Sequence, residues 1–258
     1  MADELPKIFP HMAAIGYGPQ KNIHWGCSGS LISEKFVLTT AQCLEDNKYG
    51  PVKWVLLGMQ IFPPEEGKLY DRRGQIHEVV RKIAHPEYSP PATYEDIGLI
   101  EIGPSITDHS FSLVSKDLHP ACLRPNDDVG YIYNIASRWS GIGLGHNPKM
   151  ELLRVTVDVF DEAKCNDTFR NEITENGRLP NGFDSRTLCA GMLKHGKDVC
   201  QGDFGGPLQF PVYGECQYEV IGISSFGKDC LFPRSPSVYM RVSSFIEWVE
   251  ENVWPEEI

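Results

Sequence analysis

Short apolar runs, each bounded by Gly, Pro, Asn or Asp, set the strongest limit on how this chain can fold. They cover Phe9 to Tyr17, Gly29 to Ser33, Phe36 to Thr40, Val52 to Leu57, His77 to Ile83 and Ile97 to Ile102. A second group runs through Gly130 to Ala136, Leu152 to Phe160, Tyr218 to Ile223 and Val238 to Val242. Such punctuation predicts strands joined by tight turns. Within one of them, Val155-Thr156-Val157-Asp158-Val159 alternates apolar with polar, the period of a strand with one face buried. Only the end of the chain, about residues 244–254, reads as helix. There Ser244 is expected as the cap, with Glu247 three residues on completing a capping box. Phe245, Trp248, Val249 and Val253 then recur near helical spacing. Many strands followed by one helix predict an all-β barrel or sandwich closed off by that helix.

The 258 residues suit one β-rich domain, and the 41% hydrophobic content excludes wholesale disorder. No repeat or low-complexity linker marks a boundary, so 1–258 is read as a single domain. No stretch approaches the ~20 apolar residues of a membrane span. A net charge of −11 argues against nucleic acid or an anionic membrane as the main partner. Eight cysteines with no CxxC pair point to disulfides made in an oxidising compartment. The residues Met1 to Lys7 are acidic and lack an apolar core, so they do not read as a signal peptide. Either a secretory segment lies upstream of this chain or the thiols are reduced in the cytosol, and the first is the expectation.

Three segments carry more. They are Leu38-Thr39-Thr40-Ala41-Gln42-Cys43, Glu95-Asp96-Ile97-Gly98-Leu99-Ile100 and Asp198-Val199-Cys200-Gln201-Gly202-Asp203-Phe204-Gly205-Gly206-Pro207. In this order they resemble the trypsin-like (chymotrypsin-fold) serine proteases, over nearly the whole chain from Phe9 to Trp254. The Phe9-Pro10-His11-Met12-Ala13-Ala14 opening and Ser225-Phe226-Gly227 are similar to secreted arthropod cascade proteases. The resemblance implies two six-stranded antiparallel β-barrels, the first about 9–115 and the second about 124–242, ahead of the C-terminal helix.

The departures from that family bear on function. Its members use a Ser hydroxyl as nucleophile, a His as its base and an Asp that orients the His. This chain has Gln42 at the His position and Phe204 at the Ser position, so only Asp96 of the three remains. A glutamine amide does not titrate near neutral pH, and a phenyl ring carries no nucleophile. Gln42 is expected to donate a hydrogen bond to the Asp96 carboxylate, and Phe204 to fill the cleft and obstruct the mouth of the specificity pocket. Gly202 and Asp203 keep the frame of the oxyanion hole, which together with substrate binding leaves roughly 10³–10⁴-fold acceleration in related enzymes stripped of triad members, but here Phe204 is expected to stand where the reacting carbonyl must come. Asp203 also holds the position that pairs with a freed N-terminus on activation. No Ile-Val-Gly-Gly stands in this chain, so that segment lies upstream or the mechanism has been abandoned.

By the same resemblance, Asp198 stands where a carboxylate meets substrate Arg or Lys, and Ser225, Phe226 and Gly227 form an edge that pairs with an extended backbone. Ser237 replaces a glycine and should narrow the pocket, while Arg138 and Ser140 replace the glycines flanking Trp139. The resemblance pairs Cys27 with Cys43, Cys165 with Cys189 and Cys200 with Cys230. Cys122 and Cys216 either pair with each other or remain available to an upstream segment. Asn166-Asp167-Thr168 is a glycosylation sequon. No metal cluster is evident, and no cofactor is expected.

The reading is a protease homologue without catalysis, secreted, that binds proteins in extracellular fluid: active proteases, their substrates or their inhibitors, in a proteolytic cascade of the innate-immunity kind. The alternatives are an active trypsin-like endopeptidase and a truncated product without selected function.

Overall fold

In the computed structural model the described residues are 9–59, 74–108, 118–128, 134–139, 152–191, 204–214, 216–227 and 236–255. The first half supplies β1 (Met12–Tyr17), β2 (His24–Leu31), β3 (Phe36–Thr39), β4 (Glu45–Asp46), β5 (Gly50–Leu57), β6 (Gln75–Ala84) and β7 (Gly98–Gly103). Six of these hydrogen-bond in the order β1-β2-β3-β7-β6-β5, and β5 pairs back onto β1 to close a barrel. Two-residue β4 is an appendage on β5.

The second half supplies β8 (Cys122–Leu123), β9 (Asn134–Trp139), β10 (Leu152–Val159), α1 (Glu162–Thr168), α2 (Arg170–Thr174), β11 (Thr187–Gly191), β12 (Pro207–Pro211), β13 (Tyr218–Gly227), β14 (Ser237–Arg241) and α3 (Ile246–Val253). Its barrel runs β9-β10-β11-β14-β13-β12 and closes from β12 to β9. Short β8 adds to β13 in parallel, the single parallel pair among the described strands. Closure leaves neither main sheet an open edge, which removes the usual route to edge-on aggregation.

Strand alternation builds several cores at once, because successive side chains point to opposite faces. On β1, Ala13, Ile15 and Tyr17 line the interior of the first barrel, while Ala14 meets Leu56, Met59 and Trp139, the last from the second barrel. On β3, Val37 points inward and Phe36 and Leu38 point to the seam between the barrels. The second barrel repeats the device: Tyr239 and Ile221 fill its interior, whereas Val238, Met240, Val220 and Ile223 join the seam. Val155, Val157 and Val159 likewise pack inward, with Arg154, Thr156 and Asp158 exposed between them. The seam continues into α3 through Val249 and Val253, so the C-terminal helix is part of the core.

The helix ends differ from expectation. A 3₁₀ turn, Val242–Phe245, precedes α3, and Ser244 lies inside it. The Ser244 hydroxyl donates to the Ser185 carbonyl oxygen at 2.8 Å, so no capping box forms and the α-helix starts at Ile246. Tertiary contact with the turn before β11 outcompetes the local cap. Helices α1 and α2 were not expected. Asp161 is the N-cap of α1, its carboxylate accepting from the Lys164 N–H at 2.8 Å, a cap signal readable in the chain.

Among the described cysteines three bridges form: Cys27–Cys43, Cys165–Cys189 and Cys122–Cys216, with Cα separations of 6.0, 5.9 and 5.8 Å. The Cys200–Cys230 pairing falls outside the described residues.

The segment from Phe204 to Gly206 ties the barrels together. Ser28 N–H donates to the Phe204 carbonyl oxygen at 2.8 Å, Gly205 N–H to Ser224 O at 2.8 Å, and Ser224 N–H to Gly206 O at 2.9 Å. Gly205 has φ +80°, and a Cβ there would land on Ser28 O and Thr39 Oγ1. Gly50 has φ +79° but nothing within 4 Å of the corresponding Cβ position. Gly50→Ala is therefore expected to cost about 1 kcal/mol for backbone strain alone. Gly205→Ala should cost at least about 3 kcal/mol, because strain and steric clash add. Urea unfolding of both variants checks this; equal losses would show that the close approach at Gly205 is not a constraint.

Candidate functional site

Two segments of the first barrel and one of the second meet at a buried carboxylate. Gln42 lies in the 3₁₀ turn Ala41–Leu44 that follows β3, held in place by the Cys27–Cys43 bridge beside it. Asp96 precedes β7 and is fully buried. Ser225 comes from β13, across the seam.

Their hydrogen bonds engage both Asp96 carboxylate oxygens, the Gln42 amide nitrogen and the Ser225 hydroxyl. The Gln42 backbone N–H donates to Asp96 Oδ1 at 2.9 Å, and its Nε2 donates to Asp96 Oδ2 at 2.5 Å. The second Nε2 hydrogen reaches the Ser225 carbonyl oxygen at 2.7 Å. Ser225 Oγ donates to Asp96 Oδ2 at 2.6 Å. An amide nitrogen has two hydrogens, so both are consumed, one on each barrel. The side chain at position 42 thus acts as a neutral staple, and it has no basic atom with which to accept a proton from a nucleophile.

The Asp96 carboxyl is raised from 3.8 to about 6: burial drives it up, and hydrogen bonds from Ser225 and Gln42 offset part of that rise. Burial, together with the nearby Asp96 charge, also raises the Tyr88 phenol to about 12.

The loop bearing Asp96 is fastened to the second barrel. Thr93 N–H and Oγ1 both donate to the Arg178 carbonyl oxygen, at 2.9 and 3.0 Å. Tyr94 OH donates to Gly182 O at 2.6 Å and accepts from Asn181 N–H at 3.0 Å. Glu95, at φ 55°, pairs with Arg186, whose guanidinium also engages Asp184 and lies 4.7 Å from the centre of the Tyr94 ring. A left-handed backbone at a glutamate costs energy, and this ion pair helps hold it. Glu95, Arg178 and Arg186 carry no spacing signal, since 91 residues separate the ion-paired couple.

Phe204 is half-buried and packs against both the first-barrel interior and the seam. Ser237 is buried, and its Oγ lies 2.9 Å from where a Cβ on Gly227 would sit, so these two positions close toward each other. Phe226 is buried beneath Arg178, whose guanidinium lies 5.1 Å from the ring centre. Of the expected site residues, the structure brings together Gln42, Asp96 and Ser225, with Phe204, Gly227 and Ser237 placed along the same seam and its strands. Asp198, Gly202, Asp203 and Ser140 lie outside the described residues. Ser225 was expected as part of the pocket edge only; its hydroxyl on Asp96 was not foreseen. Asn166 of the sequon is on α1, half-buried, with Oδ1 accepting from the Phe183 N–H at 2.9 Å. Among the described residues no group of three His, Cys, Asp or Glu is placed to hold a metal ion, and no helix is long and apolar enough to cross a membrane.

The raised Asp96 value predicts a pH slope. Its folded value lies above the unfolded one, so the contribution favours folding below pH about 4 and is lost as pH rises through about 6. Asp96→Asn should remove that dependence. Between about pH 4 and about pH 7, wild type is expected to lose about 2 kcal/mol relative to the variant. Denaturant titrations at both pH values test it, and parallel pH profiles would overturn it.

Comparison with known proteins places these features in context. A family model described as Trypsin matches residues 4–249. Serine protease snk of Drosophila melanogaster is 33% identical over 251 residues, 95% of this chain and 54% of that protein. Serine protease Hayan of the same species is 33% identical over 254 residues, 96% of this chain and 38% of that protein. The clotting factor G beta subunit of Tachypleus tridentatus is 28% identical over 236 residues, 90% of this chain and 72% of that protein. The chain thus spans about half or less of the length of the first two.

Proposed function

This chain belongs to the trypsin family, and we propose that it is a member without proteolytic chemistry, serving as a protein-binding cofactor, decoy or regulator in an extracellular proteolytic cascade. The observation that carries this reading is the Gln42 amide nitrogen, both of whose hydrogens are engaged. A triad needs at that place a group that takes a proton from the nucleophile and returns it to the leaving amine. Gln42 instead spends its two amide hydrogens on Asp96 and Ser225, and its amide does not titrate near neutral pH. Phe204 adds the second loss, a hydrocarbon ring where attack on a carbonyl would begin.

The frame around the lost chemistry supports selection for a folded surface. Both barrels are closed, the seam is packed, and the Asp96 loop is fastened by polar contacts to the second barrel. A chain drifting without use would not need to retain a satisfied, buried carboxylate at its centre. The bridges and the similarity to serine proteases and a clotting-factor subunit favour secretion and work beside active proteases.

The purified protein is expected to stay unlabelled by a serine-directed fluorophosphonate and to leave Arg- and Lys-containing peptides intact. The single variants Gln42→His and Phe204→Ser should be equally inert, since each lacks the other's partner. Active-site labelling or peptide cleavage by the wild-type chain would overturn the proposal. Cross-linking and pull-down from extracellular fluid then identifies the partner, with saturable capture of a protease or a protease substrate as the expected result.

A further inference from the structure

The three described bridges differ sharply in access. Cys27 and Cys43 sit in the first-barrel interior, and Cys165 and Cys189 in the seam, all buried. Cys122 and Cys216 are both only half-buried. Thiol–disulfide exchange needs a thiolate to reach a sulfur directly, so access selects which bridge reacts in the folded state.

The segment that this third bridge secures is also held by contacts independent of it. The bridge joins the connection between the barrels, residues 118–128, to the turn before β13. That connection has other ties. Ala121 N–H donates to Leu31 O at 2.9 Å, β8 pairs with Glu219 and Val220, and Arg124 N–H reaches Val220 O at 3.1 Å. Arg124 also pairs with Glu219 at 2.8 Å and stands over the Phe210 ring at 5.4 Å. Ser243 Oγ donates to Asp127 at 2.7 Å. On the other side, Cys216 follows a turn in which Tyr213 is fully exposed and Gly214 takes φ 138°. Cys122 is therefore held by strand pairing, while Cys216 stands outside the strands, in the connection between β12 and β13 that the Val212 N–H to Gln217 O bond closes at 3.0 Å, and its sulfur is the natural leaving group.

We propose that Cys122–Cys216 is an exchangeable disulfide, a modification site at which a small thiol of the glutathione class attaches to the folded body. The incoming thiolate attacks Cys122 Sγ, the new sulfur–sulfur bond forms as the old one breaks, and Cys216 departs as a thiolate that takes up a proton. One disulfide and one thiol enter and one of each leaves, so no oxidant or reductant is required. The product carries a bound thiol beside the connection between the barrels and a Cys216 released from its tether, with the Gln42–Asp96–Ser225 network untouched.

Native protein incubated with reduced glutathione, quenched by alkylation and mapped by peptide mass spectrometry tests this directly. The expected result is glutathione on Cys122 and alkylation of Cys216, at least about tenfold faster than any labelling of Cys27, Cys43, Cys165 or Cys189. Far-UV circular dichroism should remain that of the folded chain throughout. Labelling of the interior cysteines at a comparable rate would overturn the proposal, as would reaction at Cys122 and Cys216 only under conditions that unfold the protein.

Discussion

Asp96, a carboxylate with no cation beside it among the described residues, sits where the two barrels touch, and neutral donors from both sides satisfy it. Removing an ionised group from water is costly unless hydrogen bonds replace the lost hydration. Here the replacement comes from the Gln42 amide and backbone and from the Ser225 hydroxyl, so the same contacts that satisfy the charge also set one barrel against the other. Burial still outweighs them, which is why the carboxyl titrates well above its ordinary range. The rest of the seam follows from this constraint. The fastening of residues 93–95 to residues 178–186 holds the carboxylate in place, and the crossing hydrogen bonds at Phe204 and Gly205 fix the opposite wall.

The chemistry of the site changes with one group while its architecture does not. An imidazole at position 42 would present one donor and one acceptor; the amide presents two donors on one nitrogen. Directed at Asp96 Oδ2 and Ser225 O, those donors turn a place for proton transfer into a structural join. Phe204 shows the same economy, because its backbone keeps the hydrogen bond to Ser28 while its ring joins the apolar packing of both cores.

Much of the fold was legible because its signals are local. Period-two alternation placed Val155, Val157 and Val159 inward, and turn residues marked most strand ends. The fully buried strands β1 and β3 gave no such alternation to read, since both of their faces are covered and apolar residues occupy consecutive positions. Local reading failed at Ser244, where a distant carbonyl, Ser185 O, took the hydroxyl assigned to the cap. It also missed the pairing of Glu95 with Arg186, since an ion pair between separate barrels leaves no periodic trace.

By itself, the amino-acid sequence determined which chemistry is present at positions 42, 96 and 204: an amide, a carboxyl and a phenyl ring, whose reactivity follows from their atoms. Resemblance in three motifs supplied the double-barrel architecture and suggested how the cysteines pair. Only the tertiary structure decided what those groups do to one another. Whether the Gln42 amide reached Asp96 alone or Ser225 as well depended on angstrom-scale placement of turns from two barrels. Likewise, the exposure that separates Cys122–Cys216 from the interior bridges is a property of packing around residues 94 positions apart, which no local stretch of sequence encodes.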